Sequence, residues 1–221
     1  MSRVKVKICG VRTLEEAEAA IEAGADALGF NFWPHSPRYI TPADATEITK
    51  RLSPLVTLIG VFVNEKRERI VEIAALVGLQ AIQLHGDEPP AFCNGFDSLR
   101  IIKALRVGEA FDCRVIEQYA VHMILLDTRI KGSYGGTGHR FDWQVAIEAK
   151  RYAPVMLAGG LRIDNVAEAI TTVRPAALDV CSGIEAEPGR KDLRKLREFM
   201  LEVAHANALV SSDDGFNASC L

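Results

Sequence analysis

The stretch Leu125–Trp143, LLDTRIKGSYGGTGHRFDW, decides how the chain is read. It starts as an apolar strand, Met123 to Leu126, and ends on an acid, Asp127. A loop rich in glycine and basic residues follows, and Asp142 then stands in N-cap position ahead of a helix led by Trp143. α/β barrels keep catalytic groups at the C-terminal ends of buried strands, under loops of this kind. The same residues also read as an ordinary strand–loop–helix joint, with Asp127 as a turn residue. The flanking sequence decides between the two.

Working outward, the same unit recurs. Val4, Val6 and Ile8 alternate with Lys5 and Lys7 and close on Cys9-Gly10, a first strand. Thr13 and Glu16 have capping-box spacing before a helix carrying Leu14, Ala17 and Ile21. A second strand spans 27–32, and Thr41-Pro42 opens the next helix. Further strands read at 58–63, 81–84 and within 99–105. A helix is expected near 110–119. Downstream come strands at 155–158 and 177–180, and a last helix from about Asp192. After Ala206 the apolar periodicity fades, so 207–221 reads as a flexible tail and 1–206 as the one folded domain.

Eight strand–helix units of about 28 residues each fit repeated βα modules. Apolar strands alternating with amphipathic helices imply a parallel sheet covered by helices. The expected fold is therefore a single (β/α)8 TIM barrel. An open doubly wound sheet is the competing architecture, weakened because no GxGxxG follows the first strand.

Composition narrows the function classes. The 221 residues are 48% hydrophobic and 25% charged, with a net charge of −3, so no basic field suggests a nucleic-acid partner. No apolar run is long enough to span a membrane, and MSRVKVKICG lacks the apolar core of a signal peptide. The five cysteines are scattered and odd in number, without CxxC spacing. Neither a disulfide framework nor a metal site is expected, and a cytoplasmic location fits.

In a barrel the loops after the strands share one face. That gathers Cys9, Arg38, His85, Asp127, Gly159-Gly160 and Ser182-Gly183 into one candidate site. The glycines of AGGL and CSGIE follow strands seven and eight, where barrels commonly bind phosphate. Tight turns would demand the same glycines. Arg38 suits a planar carboxylate, although a solvated loop arginine is the usual fate of the type. A thiol can act as a base and a carboxylic acid can protonate a leaving oxygen. Cys9 as a small buried hydrophobe and Asp127 as a cap are the plainer readings. The glycines at 132, 135, 136 and 138, beside Arg129, Lys131 and Arg140, read as a lid that draws in an anion.

The motifs VKICG, GADALGFNF, SPRYI, IGVF, IQLHGDE, LLDT, GGTGHRFDW, LAGGL, DVCSGIE and PGRKD, taken together, resemble the phosphoribosylanthranilate isomerase family from end to end, about Val4 to Ala206. The resemblance implies a cofactor-free Amadori rearrangement in tryptophan biosynthesis. N-(5′-phosphoribosyl)anthranilate would become 1-(2-carboxyphenylamino)-1-deoxyribulose 5-phosphate. It implies Asp127 as general acid and Cys9 as general base. It implies Arg38, Gln83, His85, Gly159, Gly160, Ser182 and Gly183 as substrate-binding residues. The partner would be this small molecule alone, and the chain a monomer or homodimer. Cys181 departs from the family's usual serine. The histidine-pathway isomerase, which catalyses a like rearrangement, is disfavoured because FWPHSP is no glycine cradle and the first strand ends on Cys9 rather than an acid. A catalytically silent phosphosugar-binding barrel is the reading from another class.

Overall fold

A computed structural model describes the backbone of residues 3–96, 98–128 and 142–218, and the side chains of these up to residue 211. The glycine-rich loop, including the lid expectation placed on it, lies outside the described residues, as does Cys220.

Eight parallel strands close into a barrel in sequence order. They are β1 (Lys5–Cys9), β2 (Ala27–Asn31), β3 (Thr57–Phe62), β4 (Ala81–Leu84), β5 (Arg100–Val107), β6 (Met123–Thr128), β7 (Val155–Leu157) and β8 (Ala177–Val180). The ring closes where Lys5, Val6, Lys7 and Ile8 of β1 pair in register with Ala177, Leu178, Asp179 and Val180 of β8. Outside it pack α1 (Leu14–Glu22), α2 (Pro42–Thr49), α3 (Arg67–Val77), α4 (Trp143–Ala149), α5 (Val166–Val173) and α6 (Leu193–Ala218).

Three local features depart from the regular strand–helix pattern. The helix expected near 110–119 is a short 3-10 segment, Cys113–Gln118, capped by the Asp112 side chain. The turn after β4 is likewise 3-10, Pro90–Cys93, with Pro89 and Pro90 leaving few donors for an α-helix. Beyond β8, a two-stranded ribbon of β9 (Glu185–Glu187) and β10 (Arg190–Lys191) precedes α6.

One further change of reading concerns the tail. α6 does not stop at Ala206 but runs on to Ala218. Asn207 faces the start of β1: its Oδ1 accepts from Val4 N at 2.8 Å and its Nδ2 donates to Val4 O at 3.2 Å. An amide one residue past the apolar stripe thus fastens the last helix to the first strand.

Alternation along each strand produces two buried faces. Ile8, Leu28, Phe30, Ile82, Ile124, Leu126, Leu157, Leu178 and Val180 turn outward onto the helices. A second set fills the barrel interior: Ala27, Ile59, Ala81, Ile102, Leu125, Met156 and Ala177. Register tells which inward positions come next toward the C-terminal ends. Lys7 pairs with Asp179, Val61 with Gln83, and Arg106 with Asp127. The interior is therefore apolar below and ionic above.

Candidate active site

The ionic upper interior is one chain of contacts. Lys7 Nζ donates to Asp179 Oδ1 at 2.7 Å and to Gln83 Oε1 at 2.8 Å. Burial alone would lower the Lys7 pKa, but the Asp179 carboxylate outweighs it and the net shift is upward. An ammonium can only donate, so the Gln83 oxygen must face Lys7 and its NH2 must face His85. That NH2 lies 2.7 Å from His85 Nδ1. Nδ1 therefore accepts, and the ring hydrogen sits on Nε2. His85 Nε2 lies 3.4 Å from Asp127 Oδ2 and makes no closer hydrogen bond among the described residues. A buried donor is thus directed at the acid that ends β6.

Asp127 is 5% exposed. Its Oδ1 accepts from Thr128 N at 2.8 Å, which leaves Oδ2 toward His85. Gly159, the first residue of the loop's glycine pair, packs against it. A Cβ added there would lie 2.4 Å from Thr128 Oγ1 and 3.1 Å from Asp127 Oδ1, and the backbone has φ +77°. Only glycine fits both the conformation and the contact. Gly160 also has positive φ, and its carbonyl accepts from Asn165 Nδ2 at 2.9 Å. A Cβ on Gly183 would collide with Leu161 O at 1.9 Å, so the loops after β7 and β8 are packed backbone to backbone. Ser182 and Gly183 begin a short 3-10 turn, Ser182–Ile184, over that junction.

Across the mouth, Cys9 ends β1 and is 8% exposed. Arg38 does not stand free in its loop. Its Nε and Nη2 grip the Glu185 carboxylate side-on at 3.0 and 2.8 Å. That grip raises the Arg38 pKa. Glu185 also accepts from Lys191 Nζ at 3.1 Å. Burial works against it, but Arg38 and Lys191 hold its carboxyl below the usual range. Cys181 completes this group, with Lys191 Nζ 3.6 Å from its sulfur.

The barrel thus brings Cys9, Arg38, His85, Asp127, the Gly159-Gly160 pair and Ser182-Gly183 to the C-terminal end of the strands. Gln83 is different. It is fully buried, one layer below the mouth, with its amide held between Lys7 and His85. The sequence reading missed Lys7, Asp179, Glu185, Lys191 and the position of Cys181. A charged Asp179 inside the otherwise apolar strand ALDV was the available signal. No cluster of three or more metal-ligating side chains occurs among the described residues. Nor is any helix among them long and apolar enough to cross a membrane.

Comparison with known proteins bears on this geometry. Residues 6–202 match the family model described as N-(5'phosphoribosyl)anthranilate (PRA) isomerase. The N-(5'-phosphoribosyl)anthranilate isomerase of Geobacter metallireducens is 49% identical over 197 residues, 89% of this chain and 97% of its own. The crystal structure of phosphoribosyl anthranilate isomerase from Thermus thermophilus is similar with a TM-score of 0.85 at 34% identity, covering 91% of this chain and 99% of that one. A second crystal structure, of such an isomerase in complex with reduced 1-(o-carboxyphenylamino)-1-deoxyribulose 5-phosphate, is similar with a TM-score of 0.79 at 41% identity, over 91% and 99% of the two chains.

Proposed function

Since the chain belongs to the phosphoribosylanthranilate isomerase family and has that isomerase activity in tryptophan biosynthesis, we propose that Asp127 and Cys9 divide its two proton transfers. The substrate is N-(5′-phosphoribosyl)anthranilate. Asp127 gives a proton to the furanose ring oxygen. The C1′–O bond breaks as the nitrogen lone pair forms C1′=N, and the ring opens to a Schiff base. Cys9, as thiolate, then takes the proton from C2′. Those electrons form C1′=C2′ and return the imine pair to nitrogen, giving an enolamine that tautomerises to the ketone. Only protons move, so the scheme needs no redox cofactor.

The observation that carries this assignment is the setting of Asp127. One carboxylate oxygen is tied to Thr128 N–H and the other faces the Nε2 hydrogen of His85. His85 is therefore the donor that steadies Asp127 once its proton has gone. Gln83 acts behind it, fixing the tautomer rather than touching the ligand.

Arg38 takes the anthranilate carboxylate. Glu185 uses its Nε–Nη2 edge, which leaves Nη1 and a second Nη2 hydrogen for a ligand oxygen. Glu185 thereby sets the angle at which the guanidinium is presented. Gly159, Gly160, Ser182 and Gly183 take the phosphate through backbone N–H groups, since two backbones in contact leave no side chain in the way. All of these groups belong to one chain, so the chemistry proceeds in a monomer and a homodimer alike. A cytoplasmic setting suits the free thiols.

The test separates the two steps. Turnover is followed by loss of anthranilate fluorescence. Cys9→Ala and Asp127→Asn should each lower kcat by about 10²–10⁴-fold with little change in KM. Deuterium at C2′ should give a larger isotope effect in Cys9→Ser, where proton abstraction limits the rate. In Asp127→Asn the effect should shrink toward unity, because ring opening then limits. Near-wild-type kcat in Cys9→Ala would overturn the assignment.

A further inference from the structure

The seam between β1 and β8 places two thiols side by side. Lys7 and Asp179 are register partners that both point into the barrel. Two residues further on come Cys9, the last residue of β1, and Cys181, the first residue past β8. Adjacent strands run about 4.8 Å apart, inside the Cα separations of about 4.4–6.8 Å that a disulfide bridges. A Cβ on Gly10, the residue after Cys9, would lie 3.3 Å from Cys181 Sγ, which also lies 3.7 Å from Glu185 Oε1. Both cysteines are free.

The surroundings make the two sulfurs unequal. Cys181 lies beside Lys191 and near Arg38, and it is the more exposed of the two. The neighbouring Cys9 thiol and the charges of Lys191 and Arg38 outweigh burial and bring its pKa down to about 7. Cys9 is pushed the other way, by the Cys181 thiol, by burial and by Asp179, against the pull of Lys7. A thiolate beside cations is the nucleophilic form of cysteine, and a protonated neighbour in reach can resolve its first oxidation product. The other described cysteines lack such a partner: Cys93 turns its thiol on Pro89 O and Cys113 on Val145 O.

We propose that Cys9 and Cys181 are a reversible oxidation site, in which a peroxide converts the pair into an intramolecular disulfide across the β1–β8 seam. The Cys181 thiolate attacks one peroxide oxygen. The O–O bond breaks, hydroxide leaves and becomes water, and Cys181 is left as a sulfenic acid. The Cys9 sulfur then attacks the Cys181 sulfur, the S–O bond breaks, and the oxygen departs as water with the Cys9 proton. Two electrons pass from the thiol pair to the peroxide, and a dithiol returns them by exchange. The consequence for catalysis rests on the assignment of Cys9 as the base: the disulfide holds the sulfur whose lone pair the reaction needs.

Treatment of the full chain with hydrogen peroxide, followed by alkylation and peptide mass spectrometry, tests this directly. The expected product is a peptide pair joined through Cys9 and Cys181 and lighter by two hydrogens. Its amount should track the loss of turnover, and a dithiol should reverse both. In Cys181→Ser the joined peptides should be absent, and peroxide should slow turnover far less relative to that variant's own untreated rate. Sulfinic or sulfonic acid on Cys181 without the joined peptides would overturn the proposal, whatever happens to activity. Joined peptides with full turnover would leave the oxidation site standing and remove Cys9 from catalysis.

Discussion

The lower and upper halves of the barrel interior are built on the same strands and obey opposite rules. Below, Ala27, Ile59, Ala81, Ile102, Leu125, Met156 and Ala177 fill the space with apolar volume. Above, Lys7, Gln83, His85, Asp127 and Asp179 fill it with groups that must be paired to be buried at all. A filled apolar layer loses contacts when cut, in proportion to the hole left behind. A paired layer fails when one partner goes, because the other is left charged in a dry place. The lower half supplies stability and tolerates any shape that fills it. The upper half uses some of that stability to hold functional groups at fixed angles.

Paired substitutions sharpen this contrast most. Lys7→Met strips Asp179 of its partner and frees the Gln83 oxygen. It should cost about 3–5 kcal/mol of folding free energy, and kcat should fall as well, since His85 loses its fixed tautomer. Leu125→Ala should cost a similar amount, about 2–5 kcal/mol, but leave kcat near the wild-type value in whatever fraction is folded. Denaturant midpoints and kcat of the folded fraction check both. Equal loss of kcat in the two variants would break the distinction between the halves.

A smaller effect belongs to the pH profile. The neighbouring Cys181 thiol raises the Cys9 pKa, with burial, against the pull of Lys7. In Cys181→Ser that thiol and its charge go, so the Cys9 pKa should fall. Lys7 and Asp179 remain beneath it, and Arg38, Glu185 and Lys191 remain around position 181. The proposed base is the Cys9 thiolate, so the rising limb of kcat/KM should move to lower pH in the variant. A limb that stays where it was would mean that another group controls it.

The smallest effect is at the C-terminus. Truncation after Ala206 removes the two hydrogen bonds of Asn207 to Val4, and should cost about 1–2 kcal/mol. Truncation after Ser211 should leave the melting temperature unchanged. A drop of many degrees in the second variant would mean that the last residues dock on the barrel.

The barrel itself was legible because parallel strands buried on both faces are short apolar runs, and β4 and β8 have the bounds the sequence suggested. The meeting of Cys9, Arg38, His85 and Asp127 at one end of the barrel was legible because chain order alone collects strand ends on one rim. Lys7 was not. In VKVKIC the lysines take the positions that an open sheet gives to solvent, but in a closed barrel those positions face the interior, and Lys7 is 1% exposed. A period of two marks two faces without telling which is the outside. Glu185 and Lys191 were missed because they lie in a ribbon of two short strands that pair only with each other, with no long apolar run to announce it. The segment after β5 was read as a helix near 110–119. The chain takes a tighter turn there, opened by the Asp112 cap.

The seam between β1 and β8 also sets when the site comes into being. Lys7 and Asp179 are 172 residues apart in sequence, and Val4 and Asn207 are 203 apart. Closing loops of that length is entropically the most demanding pairing in the barrel. During synthesis, the first half of the chain carries Cys9, Arg38, Gln83 and His85, but none of Asp127, Gly159, Asp179, Ser182 or Glu185. Neither half of the barrel, β1–β4 or β5–β8, holds both Cys9 and Asp127. On the proposed assignment, the two proton-transfer groups meet only when the ring has closed and the two ends of the chain are joined.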